Sequence, residues 1–342
     1  MRASVIIRSK DEADRLRLTL ASLAAQTEKS EVIVVNDGSS DHTPQVIAEA
    51  ASELEITAIH HPKTAGRSVA ANTGAAMAKG DILLFLDGDT LAAPDLVERH
   101  MEQHRQFPNL VLRGGNWHLR CTHSFLDPET GSPKPGEESR VMRMSESERA
   151  RLIVTRQQVR EDFDAIKRRA QPGIYPGFGP GKLLELEMHA LKYHPDCQVL
   201  WAAAAGSNQS VHRTAFLEAG GFHPDLSINE HRELALRLCQ RGLRMAGTSG
   251  RSYHMIHRSG WRDPLQETDW ERIFYDAHPL PEVALLPFFW ASLGETNPFP
   301  AQSCIRSLPE LATVAARYKG LQGLKSVRDA HLQASLSGTA TA

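Results

Sequence analysis

Cysteine is scarce in this chain. Four residues in 342 (Cys121, Cys197, Cys239 and Cys304) are widely separated, and none belongs to a CxxC pair. That excludes a disulfide framework and a cysteine-ligated zinc site, and it fits reduced thiols in a cytoplasm. Long hydrophobic runs are also missing. The most apolar stretch, "VALLPFFWASL" from Val283, contains Pro287 and falls well short of the ~20 residues a membrane span needs. It reads as core or as a surface-seeking segment. The opening "MRASVIIRSKDE" meets charge after three apolar residues, which is not the pattern of a secretory leader. Neither sign of charge is in excess. Lys and Arg number 39 against 41 Asp and Glu, a net −2 with His neutral, so there is no electrostatic case for nucleic acid or an anionic membrane. No GxGxxG follows a strand, and no GxxxxGK[ST] occurs, which weighs against a dinucleotide or P-loop enzyme. The expectation is a soluble cytoplasmic protein with no transmembrane segment.

What is present is an alternation. "ASVII" from Ala3 is a β-branched run, followed by Leu16, Leu20 and Leu23 on one helical face. "EVIVV" (31–35) is a second strand that ends in the turn cluster "NDGSSD". A helix is expected from Thr43-Pro44, with Thr43 as its N-cap. "ITAIHH" (56–61) is a third strand, Ser68 to Lys79 an alanine-rich helix, and "DILLFLD" (81–87) the greasiest strand, as suits a central parallel one. Strict alternation means an α/β domain with a mostly parallel sheet flanked by helices. The pattern loosens after Pro108. Residues 122–140 and 172–181 read as loops rich in Pro, Gly or charge, and 145–170 as a helix opened by a capping box of Ser145 and Glu148. The organisation expected is 1–110 as a ligand-binding α/β half, 111–200 as a loop and helical insertion, 201–262 as a second half, and 263–342 as a C-terminal extension with a frayed tail.

In open α/β sheets, ligands sit beyond the carboxyl ends of the strands. Two acidic turns, "NDGSSD" and "LDGDT", fall at such ends. Asp-Gly alone is a common turn. Asp87 and Asp89, however, are carboxylates at i and i+2 leaving a strand, and they can point the same way. Together they can hold a hard divalent cation, Mn²⁺ or Mg²⁺, that in turn carries a diphosphate. Asp37, at the other end, can accept a hydrogen bond from a base N–H.

Four segments in order, "SVIIRSKDEADRLRLTLASLAAQ", "EVIVVNDGSSDHT", "AGRSVAANTGAAMAKGDILLFLDGDT" and "AGSNQSVHRTAFLEAGGF", resemble family-two glycosyltransferases of the GT-A fold. The resemblance covers Ala3 to Thr90 and Ala205 to His257. It implies that Asp87 and Asp89 coordinate the metal of a nucleotide-sugar diphosphate, that Asp37 recognises the base, and that Ser9 lies beside base and ribose. It also implies that Arg67 approaches the donor and that His254 adds a metal ligand. His257, Arg258 and Arg262 lie close by and can hold phosphate. Glycines in "GSNQS" and at Gly220-Gly221 would let backbone approach an acceptor. Trp117, Trp261 and Trp270 are left unassigned. Where the family commonly carries Glu-Asp ahead of an "xDLxxRL" helix, this chain reads "INEHRELALRL". That alignment puts Glu230 and His231 at the general-base position, with Glu230 preferred if burial raises its pKa.

The expected activity is metal-dependent transfer from a nucleotide-sugar, UDP-linked by preference, to an acceptor that the sequence does not name: a small molecule, glycan, lipid-linked intermediate or peptide. Direct displacement would invert the anomeric centre. A homo-oligomer is compatible. Two rivals stand beside this reading. A sugar-phosphate nucleotidyltransferase would carry a Gly-rich, Arg-containing loop after the first strand, where this chain has "RSKDEADR". A non-catalytic nucleotide-sugar-binding protein would explain the altered Glu-Asp site.

Overall fold

The computed structural model describes residues 1–172, 182–257, 265, 267–293 and 298–337. The N-terminal third follows the expected alternation: Ala3–Ser9 (β1), Ala13–Ala24 (α1), Glu31–Asp37 (β2), Thr43–Ala50 (α2), Ile56–His61 (β3), Arg67–Met77 (α3) and Ile82–Asp87 (β4). β1 pairs in parallel with β2 (Ser4 opposite Glu31) and with β4 (Ala3 opposite Ile82), and β2 with β3. Successive side chains of a strand point to opposite faces, so these runs feed two cores at once. Ile6, Ile33, Val35, Leu83 and Phe85 enter one core, and Val5, Ile7, Val32, Val34, Leu84 and Leu86 the other. The leucine face of α1 covers the second core. α3 lies close on the first with Ala70, Ala71 and Ala75. Its Gly74 has no alternative, because a Cβ there would sit 2.7 Å from Ile6 Cγ2.

α2 begins one position earlier than expected. His42 occupies the cap position, Thr43 is already helical, and Asp41 Oδ1 accepts from the Thr43 amide (3.1 Å) and hydroxyl (2.6 Å). Asp41 supplies the cap acceptor from one residue further out, while Pro44 still fits the first turn.

The chain continues through Thr90–Ala92 (β5), Leu96–Gln106 (α4) and Leu110–Leu119 (β6) into a hairpin, Phe125–Asp127 (β7) with Ser132–Pro133 (β8). The stretch expected as plain loop therefore contains paired strands, and Phe125 within it is fully buried. Glu138–Met142 (α5) follows. The single helix expected over 145–170 is instead three: Glu146–Leu152 (α6), Arg156–Glu161 (α7) and Phe163–Arg169 (α8). Ser145 and Glu148 form the expected capping box, but Thr155 with Gln158 forms a second, and Asp162 accepts from Ala165 N. Each cap satisfies amides that a continuous helix would have bonded internally, so the helix restarts twice. Gln171–Pro172 (β9) ends this region and pairs with β6.

Lys182–Tyr193 (α9), Gln209–His212 (β10), Arg213–Glu218 (α10), Glu230–Gln240 (α11) and Arg244–Met255 (β11) come next. The main sheet runs β3-β2-β1-β4-β10-β6-β11-β5. Behind it lie Asp269–Ala277 (α12), Pro281–Ala291 (α13), Leu308–Ala316 (α14) and Leu324–Leu336 (α15). The apolar run from Val283 forms α13, in which every residue from Val283 to Ala291 is buried, so it serves as core. Among the described residues, no helix is long and apolar enough to cross a membrane.

Candidate active site

Strand direction gathers the site. β10 is antiparallel to β4 and to β6, β11 runs parallel to β6, and β5 antiparallel to β11. The carboxyl ends of β1, β2, β4, β6 and β11 therefore share one edge of the sheet with the amino ends of β5 and β10. A cavity of about 570 Å³ opens along that edge. Ser9, Asp37, Arg67, Asp87, Asp89, Glu230, His231, His254 and His257 all line it. Arg258, Trp261 and Arg262 lie outside the described residues.

Asp89 follows the β4 tip, where the chain turns at Gly88 into β5. A Cβ at Gly88 would press on the side chains of Glu12 and Ser9, so glycine lets them close on the turn. Thr90 pairs with His254 across β5 and β11, and Met255 N donates to Asp89 O (2.9 Å). This brings Asp89 Oδ2 to 3.2 Å from His254 Nε2 and 2.9 Å from His257 Nε2. One ligand atom from each lies within 4.8 Å of the others. Burial would raise the Asp89 pKa, but the two imidazoles hold it well below the usual carboxylate range. His257 is pushed down by burial, and His118 behind His254 falls to about 3 for the same reason, so both stay neutral near pH 7. Glu12 faces the same space, and burial together with the charges of Asp89 and Asp87 pushes its pKa well up. An ionised carboxylate beside imidazole nitrogens, in a pocket that disfavours further negative charge, is a donor set that a divalent cation fits.

Asp87 is engaged elsewhere. Its Oδ1 accepts from Arg8 Nε (2.9 Å), and its Oδ2 lies 3.6 Å from Arg67 Nη2. Arg8 also donates from Nη1 to Glu230 Oε1 (3.1 Å) and from Nη2 to Gly206 O (3.1 Å). One guanidinium thus ties the β4 tip, the loop before β10 and the start of α11. Gly206 permits the approach, since a Cβ there would lie 3.2 Å from Arg8 Nη2. Gly220 and Gly221 do not line the cavity. Both have positive φ, and the second turn is held by Asn72, which bonds both backbone groups of Phe222.

Burial does not raise the Glu230 pKa as expected. It acts in that direction, but His231 and Arg8 outweigh it, and the carboxyl is held well below its ordinary range. Burial and the neighbouring Arg232 lower His231 to about 4. Arg232 Nη1 lies 2.8 Å from His231 Nε2. Arginine can only donate, so Nε2 accepts and the neutral ring carries its proton on Nδ1, 3.6 Å from Glu230 Oε2. The ring's one lone pair is thus engaged and its Nδ1–H has no hydrogen-bond partner among the described residues, which leaves Glu230 as the better proton acceptor.

At the far end, Asp37 accepts from Ala65 N (2.8 Å), Gly66 N (3.0 Å) and His61 Nδ1 (2.8 Å). Burial opposes its ionisation, but these donors hold its pKa down. Ser9 Oγ is buried and has no partner among the described residues. Arg8 and Glu12 are the site residues that sequence reasoning passed over. Their signal was the run of five polar residues "RSKDE" at the end of an apolar strand. Of the tryptophans, Trp270 is core and Trp117 lies under Arg251, 4.8 Å from ring to guanidinium.

Residues 4–119 match the family described as Glycosyl transferase family 2. Over 119 residues, 34% of the chain, it is 37% identical to an uncharacterised glycosyltransferase, YfnE, of Bacillus subtilis (strain 168). Over 117 residues it is 32% identical to the poly-beta-1,6-N-acetyl-D-glucosamine synthase of Staphylococcus aureus (strain MSSA476). These matches span only 30% and 28% of the relatives' own lengths. Among solved structures, S. aureus TarS 1–349 superposes on 99% of this chain and 92% of its own with a TM-score of 0.51 at 13% identity. The same protein in complex with UDP-GlcNAc gives 0.51, covering 99% of this chain and 80% of that one. Residues 4–119 thus resemble glycosyl transferase family 2, and the architecture of the chain is of the GT-A type.

Proposed function

We propose that the protein transfers a sugar from a nucleotide-sugar to an acceptor hydroxyl in a cation-dependent reaction. The observation that carries this reading is the meeting of Asp89, His254 and His257 on the same cavity as Asp37 and Glu230. Asp89, His254 and His257 would hold Mn²⁺ or Mg²⁺, and a bound cation would neutralise charge developing on the departing diphosphate. Asp87, read from the sequence as a further ligand, is assigned here to orient Arg8 and Arg67 along the donor. Asp37 keeps the 61–66 loop against the nucleotide base and offers Oδ2 as the less occupied acceptor. Glu230 accepts the acceptor hydroxyl and takes its proton as the glycosidic bond forms. The carboxylate is a weak base, so proton transfer follows bond formation rather than preceding it. Attack from the Glu230 side, opposite the diphosphate, inverts the anomeric carbon.

The relatives' printed activities support an N-acetylglucosamine donor, and UDP-GlcNAc is the donor to try first. The test is thermal shift and UDP release with UDP-GlcNAc, with and without Mn²⁺. A Mn²⁺-dependent rise in melting temperature, with UDP formed and lost on Asp89→Ala substitution, is the expected result. Pyrophosphate release from a sugar phosphate and a nucleoside triphosphate would replace this reading with a nucleotidyltransferase.

A further inference from the structure

Between β6 and α9, away from the donor end, the cavity wall contains a buried charge arrangement that the reaction above does not use. Arg113 of β6 and Arg232 of α11 both meet Glu187 of α9, at 2.5 Å (Nη1 to Oε2) and 2.9 Å (Nη2 to Oε1). The exposed fractions of these side chains are 6%, 12% and 1%. Two guanidinium groups thus share one carboxylate in a place where an uncompensated charge is costly.

The two arginines are not equivalent. Arg232 is saturated: besides Glu187 it bonds Ala202 O, Asn229 Oδ1 and His231 Nε2 and lies 5.3 Å over the Trp290 ring. Arg113 touches Glu187 alone among the described residues. Its Nε has no partner, and its Nη1 is close to Glu187 Oε2 without a hydrogen-bonding alignment. An arginine carries five N–H donors, and a side chain this buried would ordinarily have them matched. Arg113 lines the cavity, so the missing acceptor can come from a ligand.

The strand register says which ligand. Arg113 pairs with Gln209, and Gln209 pairs with Phe85, two residues before Asp87. With β10 between β4 and β6, Arg113 is two strand spacings, about 10 Å, from the β4 line. Along β6 it precedes His118, the residue opposite His254, by five positions, about 16 Å, so it stands apart from the Asp89 cluster and shares Glu187 with Arg232 of the Glu230–Arg232 segment. We propose that Arg113 anchors an anionic group, phosphate or carboxylate, carried by the acceptor, so that the acceptor class is an anionic polyol or glycan rather than a neutral one. This rests on the reading of the cavity as a glycosyl-transfer site. Glu187 acts as a counter-charge that holds the two guanidinium groups together until that anion arrives.

The test uses the full chain with the donor end filled by UDP and Mg²⁺, and titrates inorganic phosphate at constant ionic strength set with chloride. The wild type is expected to bind one phosphate per chain. Arg113→Gln should weaken binding roughly tenfold to a hundredfold, the range for a charged hydrogen-bonding partner, and Arg113→Lys should retain part of it. If Arg113→Gln fails to fold, the double variant Arg113→Gln/Glu187→Gln, which removes one cation with its carboxylate and leaves Arg232 on Ala202 O and Asn229 Oδ1, carries the comparison. Absence of phosphate binding in the wild type beyond the chloride control, or equal binding in the Gln variants, overturns the proposal. Glycerol, glycerol 3-phosphate and glycerate, offered as acceptors or as inhibitors of UDP release, separate phosphate from carboxylate. Separately, UDP-GlcNAc with Mn²⁺ should still shift the melting temperature of Arg113→Gln. Failure of that shift in the wild type sinks the glycosyl-transfer reading and leaves the phosphate result to be judged by itself.

Discussion

Replacing Arg8 with Met offers the sharpest probe of the site, because one side chain joins both acids at its centre. Arg8 is 9% exposed at its side chain, and Glu230 3%. In the variant, Glu230 loses its hydrogen-bonded cation and retains a His231 that is neutral near pH 7 and the more distant charge of Arg67. Asp87 retains the more distant Arg67 at 3.6 Å. Removing one member of a buried ion pair costs about 3–5 kcal/mol, mostly the penalty of the charge left behind, which is a large part of a typical domain's net stability. The pH dependence follows in sign. In the wild type the Glu230 pKa is depressed in the fold, so its contribution is present above the unfolded value and lost as pH falls. In Arg8→Met the folded pKa rises, because burial is then opposed by His231 and Arg67 without the Arg8 guanidinium. That variant's deficit is therefore greatest at neutral pH and narrows as the solution is acidified through the ordinary carboxylate range. Urea unfolding followed by circular dichroism at pH 7, 5.5 and 4.5 measures it. Arg8→Met/Glu230→Gln should be less destabilised than the two single changes added together. A loss at pH 7 under about 1 kcal/mol, the value of an ordinary exposed pair, or a gap that does not close with acid, would refute the reasoning.

Three further outcomes are expected. Asp89→Asn and His257→Ala should each reduce Mn²⁺ affinity by more than the roughly 10–100-fold that outer partners of a metal site command, as read by electron paramagnetic resonance, with a smaller change for Asp87→Asn. Asp37→Ala leaves the amides of Ala65 and Gly66 without acceptors and should cost about 1–3 kcal/mol together with UDP affinity, measured by denaturation and calorimetry. His100 is buried against Ser210 and Asn208, and burial lowers its pKa to about 4. The fold holds it neutral, so stability should decline as pH falls from the ordinary histidine value towards 4, by about 3 kcal/mol for this residue. His100→Gln should flatten that limb.

The N-terminal half of the fold was legible because β1, β2 and β4 are buried on both faces and the helices on one, and such patterns survive without knowledge of partners. β1 to β4 and α1 to α3 follow the apolar runs to within about two residues. Residues 145–170 were misread because helical periodicity says nothing about where a helix restarts. The decisive residues there were Thr155 and Asp162, both good caps in positions that also suit a helix surface. In the site, the acids at strand ends were visible in order along the chain, but their partners were not. Arg8 reaches Glu230 across 222 positions, and His257 meets Asp89 only because β5 pairs with β11 in one register. A reading from single segments finds the carboxylates and cannot see the cations that decide their protonation.

That limit explains why Glu230 and His231 were hard to rank from sequence. Burial alone would raise the glutamate and free the histidine, which makes the two look interchangeable. The fold places an arginine against each, Arg8 on Glu230 and Arg232 on His231, with opposite consequences. A cation beside an acid keeps it ionised and able to accept a proton, whereas a cation beside an imidazole occupies its lone pair and opposes protonation. In the proposed reaction the same charge would favour the glutamate as the acceptor's partner and leave the histidine between the glutamate and Arg232. Exchanging the two residues would place the imidazole against Arg8 and should abolish transfer even though both side chains remain in the cavity.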